Sequence, residues 1–146
     1  LKEIKKIELW SLEEIKKISI EHRTIVTSHD AFQYFGRSMG LEVVALQGVS
    51  TTSEAGLGDR VNLVDLIRKY KIPAIFIESS VNPAAIKEIA KECNVIVGGE
   101  LFSDALGSQH EFTTGPNGTQ YQTNTWEGMM VHNINTIVKA LTRKIK

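Results

Sequence analysis

Apolar positions along this chain switch repeatedly between a helical spacing and short continuous runs. Leu1, Ile4, Ile7, Leu12, Ile15 and Ile18 recur at helical intervals with Lys and Glu between them, which predicts an amphipathic helix over residues 1–18. Ser11 followed by Glu13 and Glu14 offers a second start, so a break near Trp10 and Ser11 is the competing reading. Thr24-Ile25-Val26-Thr27 is short and β-branched, the signature of a buried strand, and it stops at Ser28-His29-Asp30. Ala31 to Met39 is helical again, with Asp30 or Ser28 as candidate caps and Gly40 as its end. Glu42 to Leu46 reads as a second strand ending in the polar loop Gln47 to Glu54, and Asp59 to Tyr70 as a helix. Ile72 to Ile77 is a third strand with Pro73 at its start, where a missing N–H is tolerated. Asn82-Pro83 opens a helix through Glu92, and Asn94 to Val97 is a fourth strand running into Gly98-Gly99-Glu100. Ser108 to Thr125 is poor in apolar residues, carries Gly115-Pro116-Asn117-Gly118, and reads as a surface loop. Trp126 to Ile145 is a long closing helix with Met130, Ile134, Ile137, Val138 and Leu141 on its core stripe. Four strands alternating with helices predict an α/β fold: three layers, with a four-stranded parallel sheet and right-handed crossovers.

Composition narrows what such a fold does. The chain has 146 residues, 42% hydrophobic and 23% charged, which suits one globular domain. Seventeen basic residues balance seventeen acidic ones, so no field favours nucleic acid or an anionic membrane. No apolar run approaches the roughly 20 residues that span a bilayer, so no transmembrane segment is expected. Cys93 is the single cysteine, which excludes an intramolecular disulfide or a cysteine zinc cage; at a helix end it reads as a buried, inert thiol. The chain opens at Leu1 in mid-helix, without a signal peptide, and reads as a piece of a longer protein.

The candidate chemistry lies where strands end. In open α/β sheets ligands bind at the carboxyl edge of the strands. That edge receives Ser28-His29-Asp30, Gln47 to Thr51, Glu78-Ser79-Ser80, and Glu100 with Asp104. His29, in a tight strand-to-helix turn, is a metal ligand, a general base, or a turn histidine bonded to backbone. Imidazole with carboxylates suits zinc, manganese or iron, whereas copper(I) wants sulfur. Two ligands are too few for a tight site, so either the others come from outside this chain or the edge does something else. HExxH, a phosphate loop ending in GK[ST], and a GxSxG elbow are all missing. Gly56-Leu57-Gly58 neither follows a strand directly nor has the third glycine of a dinucleotide fingerprint. Ser79 and Ser80 read as turn and capping residues, His110 as a solvated loop residue, and His132 as exposed and structural. Asn117-Gly118-Thr119 matches a glycosylation acceptor, a pattern common by chance.

Four ordered segments carry a resemblance. Thr27-Ser28-His29-Asp30-Ala31-Phe32-Gln33-Tyr34-Phe35 with Leu46-Gln47-Gly48-Val49-Ser50 forms the first. Ile75-Phe76-Ile77-Glu78-Ser79-Ser80, then Gly98 to Gly107, then Gly128-Met129-Met130-Val131-His132-Asn133 complete it. Together, over Arg23 to Leu141, they resemble the TroA-like (cluster A-I) metal-binding proteins that serve bacterial ABC importers of zinc, manganese or iron. The resemblance implies two α/β lobes joined by a long rigid helix, with metal held between them. On it, this chain looks like the carboxyl-terminal lobe: residues 1–18 the tail of the connecting helix, residues 19–146 the lobe, and the amino-terminal lobe with its two histidine ligands absent. His29 corresponds to the third ligand and Asp104 to the carboxylate ligand, while Glu78 sits close to the site without being a direct ligand. Ser108 to Thr125 looks longer than the family's connection there. The implied function is a substrate-binding component, not an enzyme, that captures a divalent metal and delivers it to a membrane permease. The parent would be extracytoplasmic, in the periplasm or anchored at the cell surface. Two other readings stay open: a metal-dependent hydrolase with Glu78 as general base, and a non-metal interaction lobe working through the same edge.

Overall fold

The strands over residues 24–29 and 74–78 are buried on both faces. The computed structural model describes residues 1–47 and 56–143. Its elements are α1 (Lys2–Lys16), β1 (Thr24–His29), α2 (Gln33–Met39), β2 (Glu42–Gln47), α3 (Leu57–Tyr70) and β3 (Ala74–Glu78). They continue with α4 (Ala84–Cys93), β4 (Ile96–Leu101), β5 (Phe112–Thr114), β6 (Gln120–Gln122) and α5 (Trp126–Leu141). Side chains alternate across the strands with period two. Ile25, Ala74 and Phe76 enter one core with Ile15, Met39, Ile134 and Ile137. Val26 and Ile75 enter the other with Leu63, Val64 and Ile67 of α3 and Ile86 and Ile89 of α4. The result is three layers, with α1, α2 and α5 on one face and α3 and α4 on the other. Burial on both faces is why the strands read as continuous apolar runs.

β1 pairs parallel with β2, and β3 parallel with β4. The expected single four-stranded sheet is, among the described residues, two such ladders, with β1 and β3 lying alongside each other. In β4 the register slips. Ile75 faces Val97 but Ile77 faces Glu100, so β4 carries one inserted residue. Gly99 sits in that insertion at φ 143°, a conformation that residues with a side chain rarely adopt.

The single helix expected over residues 1–18 is present as α1, and several other expectations need correction. α1 runs unbroken past Trp10, because Ser11 is buried in the helix face rather than free to cap a second start. α2 starts at Gln33 behind Phe32, with no side-chain cap from Asp30 or Ser28. The Ala31 N–H bonds back to the His29 carbonyl (3.0 Å), and this turn delays the helix. The polar stretch expected as a loop contains an antiparallel hairpin, β5 with β6, across Gly115 to Thr119. Only Tyr121 of β6 points inward, between exposed Gln120 and Gln122, so the pattern is polar yet strand-like. The Tyr121 hydroxyl donates to the Glu3 carboxylate, tying the hairpin to α1. That bond holds the Glu3 carboxyl below its usual range, so the tie persists above ordinary carboxylate values and weakens as pH falls through the lowered one. Cys93 is half-buried rather than buried, with burial pushing its thiol up. The polar loop after Gln47, through Glu54, and the end of the closing helix at Ile145 lie outside the described residues. Among the described residues no helix is long and apolar enough to cross a membrane.

Candidate metal centre

His29 is the last residue of β1, and its backbone is held at several points. Its carbonyl accepts from the Thr27 hydroxyl (3.0 Å) and from the Ala31 N–H (3.0 Å). Its N–H and that of Ser28 both donate to Glu78 Oε1, at 3.0 and 2.8 Å. Glu78 ends β3, so one buried carboxylate stitches the ends of the two ladders together. Its other oxygen, Oε2, lies 2.6 Å from His29 Nδ1, a close contact set at an angle to the ring N–H. His29 and Glu78 are 3% and 2% exposed. A carboxylate only accepts, so it favours the tautomer with hydrogen on Nδ1. That leaves the Nε2 lone pair facing outward.

Nε2 faces Asp104 Oδ2 at 3.2 Å. The structure therefore brings together the two residues singled out from the sequence, 75 positions apart. His29 is the buried member and Asp104 the exposed one, so the pair forms a rim with a protein side and an open side. In this tautomer both facing atoms are acceptors, and two acceptors at that distance repel unless a proton or cation lies between them. An ion about 2.1 Å from each would subtend roughly 100° across the 3.2 Å gap, close to a tetrahedral angle. Two donors leave such an ion under-coordinated. Among the described residues no group of three or more His, Cys, Asp or Glu is arranged to hold a metal.

Other residues expected at the edge do not join this pair. Glu100 is exposed, and its carbonyl, not its carboxylate, is engaged, by His132. The Ser79 N–H bonds to the Leu101 carbonyl (3.0 Å), and the Ser80 hydroxyl meets that of Ser103 (2.7 Å), so both tie the turn after β3 to the end of β4, and neither caps α4 as expected. His110 is exposed in its loop, as expected. His132 is half-buried instead of exposed, its ring 4.5 Å from that of Phe102. Residues 48–51 lie outside the described residues. Asn133 was missed. It is 2% exposed, an amide on the core side of α5 beside Ile134 and Ile137. A lone amide on an apolar stripe is the signal that marks it.

Because Glu78 orients the imidazole, Glu78→Gln is expected to weaken metal binding by about 10- to 100-fold in the two-lobed protein proposed below, while leaving it folded. Competition with a chromophoric chelator measures this; unchanged affinity would show that the carboxylate only tidies the backbone.

Known proteins share this sequence and this fold. The chain is 46% identical over 140 residues to the manganese-binding lipoprotein MntA of Bacillus subtilis, covering 92% of this chain and 42% of that protein. It is 43% identical over 146 residues to the zinc-binding protein TroA of Treponema pallidum, covering 97% of this chain and 44% of that one. The solved structure of periplasmic zinc-binding TroA from Treponema pallidum superposes with a TM-score of 0.86 at 39% identity, over 97% of this chain and 50% of that chain. The chain thus spans about half the length of the relatives it matches. Residues 1–140 fit the family described as zinc-uptake complex component A, periplasmic, and the chain belongs to that family.

Proposed function

We propose that this chain is the carboxyl-terminal lobe of an extracytoplasmic protein that captures a divalent metal and hands it to an ABC permease. His29 and Asp104 supply two of the ligands. A preceding lobe, reached through α1, supplies the rest. The observation that carries this is the 3.2 Å approach of Nε2 to Oδ2, two acceptors aimed at one point. The relatives' names, zinc-binding and manganese-binding, support those two cargoes. Iron(II) fits the same donor types, since imidazole and carboxylate do not discriminate by affinity alone.

Capture rather than catalysis is supported by the state of Glu78. A general base needs a free lone pair and a water. Oε1 of Glu78 accepts from the Ser28 and His29 amides, and Oε2 is buried 2.6 Å from His29 Nδ1, turned to the imidazole and away from solvent.

The half-site reading makes a direct prediction. Zinc titrated calorimetrically into this 146-residue chain binds weakly, whereas the two-lobed protein binds tightly. A sub-micromolar, one-to-one site within the single chain would refute it. Acidification weakens capture in the two-lobed protein, because protons compete with the metal for imidazole and carboxylate.

A further inference from the structure

Asp104 is fixed by little of its own. It lies beyond the end of β4, its side chain is exposed, and among the described residues its side-chain contact is His29 Nε2. Its placement depends on the strand end that precedes it. Among the described residues β4 is an edge strand that pairs with β3 alone. Alternate residues of a strand direct their backbone groups to the same side. The Leu101 carbonyl turns toward the β3 side, where it accepts from the Ser79 N–H. Glu100 and Phe102 therefore direct theirs to the free edge.

Helix α5 occupies that edge. Asn133 Oδ1 accepts from the Phe102 N–H (2.9 Å), and Asn133 Nδ2 donates to the Phe102 carbonyl (2.8 Å). A carboxamide has the donor and acceptor of a peptide group, so Asn133 takes the place of a neighbouring strand. One turn of strand backbone earlier, His132 Nε2 donates to the Glu100 carbonyl (2.9 Å), and the His132 ring packs on Phe102. These bonds come just after the inserted residue at Gly99, where the ladder to β3 is disturbed.

We infer that Asn133 and His132 are positioning residues for Asp104, holding its carboxylate opposite His29 Nε2 through the backbone of Glu100 to Phe102. This rests on Asp104 being a ligand. A buried helix stripe has no need of an amide there. An apolar residue would leave the Phe102 N–H and carbonyl unpaired and the strand end free to shift, and metal sites are sensitive to displacements of that size.

The test uses zinc and the two-lobed protein, with affinity read by chelator competition at a temperature where circular dichroism shows each metal-free variant folded. Asn133→Ala is expected to lower zinc affinity about 10- to 100-fold. His132→Phe keeps the ring on Phe102 and loses one hydrogen bond, so it should lower affinity about fivefold. Lys139→Ala, exposed on the same helix, should change nothing. The inference is overturned if Asn133→Ala and His132→Phe both stay within about twofold of the parent while Asp104→Ala loses binding; the pair would then serve only the fold. Should Asn133→Ala fail to fold, His132→Phe alone decides between these outcomes. If Asp104→Ala itself keeps the parent affinity, the ligand assignment falls and this inference with it.

Discussion

Alanine at position 29 is expected to lower zinc affinity of the two-lobed protein by more than about 100-fold and to destabilise the lobe as well. A residue that only orients a ligand is worth 10- to 100-fold, so loss of the ligand itself exceeds that range. The structural penalty has a separate cause. His29 is buried against Glu78, and its removal leaves a buried carboxylate with two amide donors and no imidazole. Leaving a buried polar group without its partner costs about 1–3 kcal/mol, and more when the group is charged. Asp104→Ala should behave differently. Its side chain is exposed, so affinity falls while stability of the metal-free protein stays within about 0.5 kcal/mol. Denaturant midpoints and chelator competition on both variants separate the two effects. Equal loss of stability in both would mean that Asp104 is part of the buried network and not an open rim.

The second large effect lies far from the rim. Gly128→Ala is expected to destabilise the chain by about 3 kcal/mol, the upper part of the usual overpacking range. A methyl built on Gly128 would stand 1.9 Å from the Gln122 carbonyl oxygen and 2.5 Å from its carbon. Those are backbone atoms at the end of β6, so no rotamer change relieves the clash. The first turn of α5 must instead move away from the hairpin, breaking the cap in which Thr125 Oγ1 accepts from the Gly128 N–H. Gly58→Ala is the matched control: nothing lies within 4 Å of its added methyl, so it should be neutral or slightly stabilising. Urea unfolding reads both. A Gly128→Ala midpoint equal to the parent's would mean that α5 and β6 do not press together as described.

Much of the fold was legible because both periodicities were strong. β1 and β3 were visible as short β-branched runs, and α4 and α5 as apolar stripes, since burial on both faces of a parallel layer leaves few polar positions. The rim was legible for a different reason. Polar residues stop each strand at the same end, and a parallel arrangement then gathers them at one edge whatever the details of packing. The hairpin was misread because two three-residue strands, with Tyr121 as the inward residue of β6, leave no apolar run to detect. His132 was read as exposed and structural and Asn133 was given no role, because helical spacing says which side of α5 faces inward but not that an edge strand with unpaired amides waits there.

What this sequence determined alone was therefore the order of β1 to β4 and their helices, the parallel sense of those strands, and the two residue types, imidazole and carboxylate, that end at the shared edge. These follow from local propensity and burial, which act over a few residues at a time. Only the tertiary structure decided that Glu78 turns its carboxylate onto the Ser28 and His29 amides, that β4 gains a residue at Gly99, and that an amide of α5 replaces a missing strand. The first and last of these satisfy backbone groups that distant elements leave unpaired, and which groups are left unpaired is settled only when the elements pack.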